Sequence, residues 1–297
     1  MTDALSRSGL VVVDKPAGLT SHDVVGKLRR FFSTKRVGHA GTLDPMATGV
    51  LILGIERGTR FLAHLVTATK AYDATIRLGA ATTTDDAEGE VLSTTSAADI
   101  DDAAVAAGVA ALTGDIMQRP ASVSAIKIDG KRAHQLVREG ETVELPARPV
   151  TVSEFTVLRS RREGDFLDLE VQVRCSSGTY IRSLARDLGE DLGVGGHLTA
   201  LRRTEVGPFE LADAQTLEQL ADAPRLSLTL DEALTRSFPV LDVTAEEGAA
   251  LAMGKWLEPR GLKGVHAAVT PEGKAVALIK EKGKRLATVF VARPSTL

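Results

Sequence analysis

Apolar positions along the chain fall into short runs whose spacing alternates between helix-like and strand-like periods. Gly9-Leu-Val-Val-Val13 is an unbroken apolar run that enters Asp14-Lys-Pro-Ala-Gly18, and it reads as a buried strand ended by a turn. Thr20 and Ser21 then offer an N-cap. The helix predicted after them, about 22–32, turns Val24, Val25, Leu28 and Phe32 inward and Lys27, Arg29 and Arg30 outward. A glycine-rich loop over 37–49 opens into an apolar strand at 50–55. A second helix is predicted at about 59–67, carrying Phe61, Leu62, Leu65 and Val66. From 71 to 78 the period becomes two: Tyr72, Ala74, Ile76 and Leu78 share one face, and Asp73, Thr75 and Arg77 share the other.

An acidic turn, Asp85-Asp86-Ala-Glu88-Gly89-Glu90, and an Ala-rich helix at about 101–112 follow. Residues 119–150 form a Pro-bounded excursion with a short strand (124–128), an Asp129-Gly130 hairpin turn and a helix ending at Gly140. Strands are predicted at 150–158, 166–175 and 198–204, with a helix capped by Ser177 or Thr179 running to about 188. Past Pro239 the pattern changes to a short helix (245–253) and a meander of strands at 265–269, 275–280 and 287–291. No internal repeat is present. The order predicts an α+β fold: a catalytic domain, 1–239, with a mixed or antiparallel central sheet flanked by helices, and a small β domain, 240–297. A module of that size has little core of its own and is expected to lean on its neighbour.

Composition narrows the class. Of 297 residues, 43% are hydrophobic and 25% charged, an ordinary globular mix that excludes disorder. The single cysteine, Cys175, rules out an intrachain disulfide and a multi-thiolate zinc site, and points to a reducing, cytoplasmic setting. The first nine residues lack the apolar core of a secretory signal, and the apolar run at 103–112 is too short to span a bilayer, so no membrane association is expected.

A net charge of -3 argues against a polyanionic partner until its distribution is examined. Residues 1–70 hold 10 Lys/Arg against 5 Asp/Glu, whereas residues 71–118 hold 1 against 9. A local basic patch is what contacts nucleic acid, whatever the sum. With 8 Phe, 2 Tyr and 1 Trp, a sheet-wide stacking platform is excluded, and any base must be handled by one or two rings.

The common cofactor cradles are missing. Neither Gly-x-Gly-x-x-Gly, nor a phosphate loop, nor Gly-x-Ser-x-Gly occurs, and the six histidines show no i, i+4 pair. Catalysis without metal or nucleotide cofactor is expected. What remains is Gly38-His-Ala-Gly41-Thr-Leu-Asp44-Pro-Met-Ala-Thr-Gly49, a carboxylate inside a glycine-rich loop that feeds a buried strand. Loops on rigid scaffolds often carry catalytic groups, yet on local chemistry alone Asp44-Pro45 reads first as a turn initiator.

Asp14-Lys-Pro-Ala-Gly-Leu-Thr-Ser21, Val37-Gly-His-Ala-Gly-Thr-Leu-Asp-Pro-Met-Ala-Thr-Gly-Val-Leu51, Lys70-Ala-Tyr72, Ser176-Ser-Gly-Thr-Tyr-Ile-Arg-Ser183 and Leu201-Arg-Arg203 together closely resemble the TruB family of tRNA pseudouridine synthases, in its actinobacterial form. The resemblance runs in order over about 9–210. It implies isomerisation of uridine 55 in the tRNA T-arm, by base flipping and without cofactor, with tRNA as partner and a monomer as the working unit. The C-terminal region resembles the family's small PUA-like RNA-binding domain.

By that resemblance Asp44 is the nucleophile, toward C6 of uracil or C1′ of ribose. His39 fills the gap left by the flipped uridine. Tyr72 stacks on the uracil and takes the C5 proton, although its face pattern equally fits a core ring. Arg182 pairs with Asp44, Tyr180 sits beside it, and Leu201 lines the uracil pocket. Arg60 and Asp86 fall on positions near the RNA or the active site. The 119–150 excursion matches an insertion that grips the T-loop, and Lys127, Lys131 and Arg132 flank its turn as an RNA clamp, with Arg138 on the following helix extending the same face. The separation of Lys70 from Tyr72 by Ala71 departs from the family pattern and places any Lys70 contact in doubt. The rival reading is a tRNA-binding or RNA-folding protein with vestigial catalysis, against which Asp44, Tyr72 and Arg182 stand together. An aspartate-nucleophile hydrolase would need a metal or a second carboxylate in the loop, which offers neither.

Overall fold

The computed structural model describes residues 5–121, 127–128, 131–132 and 145–296. The chain divides into two compact units, residues 1–66 with 206–297, and residues 67–205. Both mix helices with mainly antiparallel strands, so the fold is α+β as the periodicity predicts.

In the first unit, Gly9–Lys15 runs antiparallel to Thr48–Ile55 along its whole length, Gly9 facing Ile55 and Lys15 facing Gly49. The short strand Val37–Ala40, absent from the sequence reading, also pairs with Thr48–Ile55. Leu10 to Val13 and Val50 to Leu53 are fully buried, so these runs are apolar throughout because both of their faces are covered. The helix Ser21–Phe31 begins at a capping box: the Asp23 amide donates to Thr20 Oγ1 (3.0 Å) and the Thr20 amide donates to Asp23 Oδ2 (2.8 Å). Such a cap stabilises by about 1 kcal/mol. Val24, Val25 and Leu28 face the core, while Phe32 is the half-buried C-cap.

The helix expected over 59–67 is corrected to one α turn, Gly58–Phe61, followed by a 3₁₀ turn, Leu62–Leu65. The α turn buries Phe61, and the tighter turn buries Leu62 and Leu65 and leaves Val66 58% exposed, outside the core. Two helices were not anticipated, Leu217–Asp222 and Leu230–Ser237. Each starts at a Thr-x-x-Gln/Glu capping box, Thr216 with Gln219 and Thr229 with Glu232, a pattern visible in the sequence.

The C-terminal module has a four-stranded mixed sheet. Val240–Asp242 runs parallel to Val265–Val269, and Ala275–Lys282 and Arg285–Val291 complete it antiparallel. Its own core comprises Val243, Leu251, Leu257, Ala268, Val276, Ala277, Ile279 and Leu286. The module does lean on the rest of its unit. Arg57 donates to the carbonyls of Ala292 (3.0 Å) and Val291 (2.6 Å), and the Phe290 ring lies 6.1 Å from that of Phe61. Asp231 accepts from the Ala275 amide (2.8 Å) and the Arg293 guanidinium (2.6 Å).

In the second unit the strand order is Gly196–Val206, Lys70–Leu78, Phe166–Cys175, Arg148–Glu163, Gly114–Gln118. Lys70–Leu78 keeps its expected alternation, with Tyr72, Ala74, Ile76 and Leu78 buried and Tyr72 opposite Val173. Helix Ile181–Asp191 packs Leu184, Ala185 and Leu188 inward. Neither Ser177 nor Thr179 caps it; Tyr180 is the N-cap and makes no side-chain cap bond. Within the excursion, Lys127–Ile128 pairs antiparallel with Lys131–Arg132, Lys127 facing Arg132, as a hairpin requires. The Asp129-Gly130 turn, the helix ending at Gly140 and Arg138 lie outside the described residues.

Candidate active site

The loop carrying Asp44 joins Val37–Ala40 to Thr48–Ile55. Gly41 and Gly49 take φ values of +74° and +101°, a region open to glycine at no steric cost. Leu43 is anchored at both backbone groups by one side chain: its amide donates to Ser21 Oγ (2.9 Å), and the Ser21 hydroxyl donates to the Leu43 carbonyl (3.1 Å). Ser21 is the first residue of the capped helix, so the cap at Thr20 also sets the loop. Beyond Asp44, the Pro45 carbonyl accepts from the Gly18 amide (2.8 Å) and from the Lys15 ammonium (3.3 Å).

Lys15 is fully buried, and its ammonium also donates to the carbonyls of Pro16 (2.8 Å) and Leu19 (2.7 Å). Three donors meet three acceptors, which is what makes a buried ammonium tolerable. The Asp-Lys-Pro turn and the Asp-Pro turn are thereby tied together, with Asp44 half-buried between the two anchors. In the same unit His39 is half-buried on Val37–Ala40 opposite Leu53, and Arg60 is exposed on Gly58–Phe61.

The second unit holds Tyr72, Asp86, Tyr180, Arg182 and Leu201. Tyr72 and Leu201 are 7% and 8% exposed and lie on neighbouring strands, which suits either a core role or the wall of a base pocket. Arg182, one residue into its helix, donates to the Thr84 carbonyl (3.0 Å) and lies 3.8 Å from Asp86 Oδ2. Both side chains of this ion pair are buried. Asp86 is held in turn by the Thr84 hydroxyl (2.5 Å) and the Glu88 amide (3.0 Å). One helical turn on, Arg186 donates to Asp85 Oδ2 (3.2 Å), to Asp187 Oδ1 (3.0 Å) and to the Arg119 carbonyl (2.6 Å). Burial pushes the Asp85 carboxyl above the usual range, while Arg186 and Arg182 pull the other way. The acidic turn at 85–90 is therefore a brace for two arginines.

Several positions carry the site without having been assigned to it from sequence. Buried Gln118, at the end of Gly114–Gln118, accepts from the Tyr180 amide (2.8 Å) and donates to the Tyr180 carbonyl (3.1 Å). It holds both backbone groups of the N-cap residue. Lys15 and Ser21 stand in recognised motifs, but their bonds to Pro45 and Leu43 span 30 and 22 residues. The Arg182/Arg186 spacing of four opposite an acidic run is a signal that sequence does contain.

Cys175 is buried, and burial pushes its thiol up to about 11, which disfavours the thiolate. Among the described residues no three His, Cys, Asp or Glu side chains group to hold a metal ion, and no helix is long and apolar enough to cross a membrane. The arrangement offers a carboxylate on a braced loop, a buried tyrosine and a buried guanidinium.

Comparison with known proteins gives these residues a family. Residues 29–181 match the model of the TruB family pseudouridylate synthase N-terminal domain; residues 182–240 match the tRNA pseudouridylate synthase B C-terminal domain. Residues 238–293 match the C-terminal domain of tRNA pseudouridine synthase II. The chain is 76% identical over 297 residues to tRNA pseudouridine synthase B of Corynebacterium aurimucosum, covering 100% of both chains. It is 63% identical to the enzyme of that name from Nocardia farcinica, covering 97% of this chain and 94% of the other. Among solved structures, a chain of a Cbf5-Nop10-Gar1 complex superposes with a TM-score of 0.76 at 27% identity, covering 99% of this chain and 87% of that one. A chain of an H/ACA ribonucleoprotein bound to a substrate RNA containing 2′-deoxyuridine superposes with a TM-score of 0.73 at 26% identity, covering 98% and 86%. The braced aspartate loop, the buried tyrosine strand and the arginine-led helix thus stand in a chain that belongs to the TruB family of pseudouridine synthases.

Proposed function

We propose that this enzyme converts uridine 55 in the T-arm loop of tRNA to pseudouridine, with Asp44 as the nucleophile. The observation that carries the reading is the Asp44 loop: one carboxylate, half-buried, between backbone anchors supplied by Ser21 and Lys15. Substrate and product are isomers. The C1′–N1 bond breaks, C1′–C5 forms, the C5 proton leaves and N1 gains one, so no external donor enters the balance. A carboxylate that captures the uracil or the ribose keeps the freed base from escaping while it turns.

The base must leave its stack to reach such a loop, and His39 fills the gap that it leaves. Tyr72 stacks on the flipped ring and receives the C5 proton, Leu201 and Tyr180 shape the pocket, and Arg182, braced by Asp86, pairs with the nucleophile. Arg60 and the Lys127, Lys131 and Arg132 hairpin contact RNA phosphates. The 240–297 module, PUA-like, adds RNA contacts beyond the 1–239 catalytic domain, and the enzyme works as a cytoplasmic monomer without metal or cofactor.

Tritium release from a T-arm stem-loop labelled at C5 of its uridines tests the reading. The wild type releases tritium from the target uridine. Asp44→Asn releases none, while its affinity for the stem-loop stays within a few-fold. Absence of release by the wild type would overturn the function, and near-normal release by the Asn variant would overturn the nucleophile.

A further inference from the structure

We propose that Trp256, together with Arg285, Lys282 and Lys284, forms a stacking site for an unpaired nucleotide of the tRNA, outside the loop that carries the reacting uridine. This deepens the tRNA reading above and rests on it. Trp256 is the single tryptophan of the chain and is 46% exposed, an unusual position for the largest apolar side chain. It stands outside the C-terminal module's buried core of Val243, Leu251, Leu257, Ala268, Val276, Ala277, Ile279 and Leu286.

The ring nevertheless sits on fixed backbone. Helix Ala245–Ala252 ends just before it, Gly254 turns the chain at φ +76°, and Leu257 exchanges two backbone hydrogen bonds with Leu286 (3.0 and 2.9 Å). Leu286 neighbours Arg285, whose guanidinium carbon lies 4.8 Å from the centre of the Trp256 ring. The depression at this point is lined by Trp256, Lys282, Lys284, Arg285, Ala287 and Thr288 with Gly254, so three cations and no carboxylate surround the ring. In a chain of net charge -3 that local balance is a departure from the average. Nearby Glu281 is occupied elsewhere, accepting from the amides of Arg260 (2.7 Å) and Leu262 (3.2 Å).

An aromatic face for a base, a guanidinium plane and flexible ammonium groups for phosphate are the parts of a single-strand binding site. A paired stem hides its base faces, so the ligand is an unpaired nucleotide. Stacking of one base is worth about 5- to 150-fold in affinity.

Because Trp256 is the sole tryptophan, its emission reports the site directly. Full-length tRNA should quench it with the midpoint of tRNA binding, and an isolated T-arm stem-loop should bind and react without quenching. Trp256→Ala should weaken full-length tRNA binding about 5- to 150-fold and leave tritium release from the stem-loop unchanged, which also shows that the variant folds. Changing Lys282 and Lys284 to Gln should flatten the plot of log affinity against log salt by about 1.4–1.8. Unquenched emission in the tRNA complex, or unchanged affinity of Trp256→Ala, would overturn the proposal. Quenching by poly-glutamate but not by tRNA would assign the patch to a protein partner and overturn it equally. Failure of the wild type on the stem-loop counts against the reaction assignment instead, since the quenching measurement needs no turnover.

Discussion

The Asp44 loop and the turn at 85–90 are both short, acidic and glycine-containing, yet they are held by different chemistry. Around Asp44 the anchors fall on backbone, the Leu43 amide and carbonyl and the Pro45 carbonyl, and they come from a hydroxyl and a buried ammonium. At the turn the anchors include side-chain charges, Arg182 against Asp86 and Arg186 against Asp85, beside the bond from Arg182 to the Thr84 carbonyl. A frame that grips the main chain fixes where the loop presents its carboxylate. A frame that includes ion pairs holds the guanidinium it presents in place.

The difference can be broken from either side. The largest effect is expected at the turn. Arg182→Met leaves Asp86 buried without its partner, and breaking a buried pair in this way costs about 3–5 kcal/mol. Urea unfolding should show that loss, and a cost below about 1 kcal/mol would mean that the brace is not structural. At the loop, Lys15→Met keeps the volume and removes the ammonium's hydrogen bonds to three carbonyls, of which Pro45 keeps the Gly18 amide. The expected stability loss is about 1–3 kcal/mol, but turnover should fall roughly 100-fold through displacement of Asp44, with RNA affinity little changed. Equal kcat in the two proteins would show that the ammonium merely fills space.

A third pair calibrates the comparison. Hydrogen bonds from Arg77, helped by Arg161, hold the Asp168 carboxyl below the usual range. A depressed carboxyl contributes stability above its ordinary pKa and loses it as pH falls through the lowered one. Asp168→Asn should therefore cost about 1 kcal/mol at neutral pH, since Arg77 is partly exposed. The gap to wild type should close below about pH 4. Unchanged kcat is expected, and a gap that widened in acid would contradict the ion pair.

Much of this architecture could be read from the chain itself. Alternation placed Tyr72 with Ala74, Ile76 and Leu78, and that face is buried. The glycines around Asp44 marked a loop that feeds a buried strand, which it does. The helices at Leu217–Asp222 and Leu230–Ser237 were passed over despite their capping boxes, because both are short and their apolar stripes hold few residues. The split of 59–67 into an α turn and a 3₁₀ turn depends on which of Leu65 and Val66 finds a partner, a tertiary choice. The anchors were hidden for the same reason: Gln118 meets Tyr180 across 62 residues, and no local pattern announces such a pair.

Nucleoside analysis of a T-arm stem-loop after incubation with the wild-type enzyme tests the central claim most directly. The account predicts one uridine replaced by pseudouridine at the T-loop position, one C5 proton released per product, and no free uracil. Release of free uracil with an abasic ribose left in the strand, or recovery of every uridine unchanged, would contradict it.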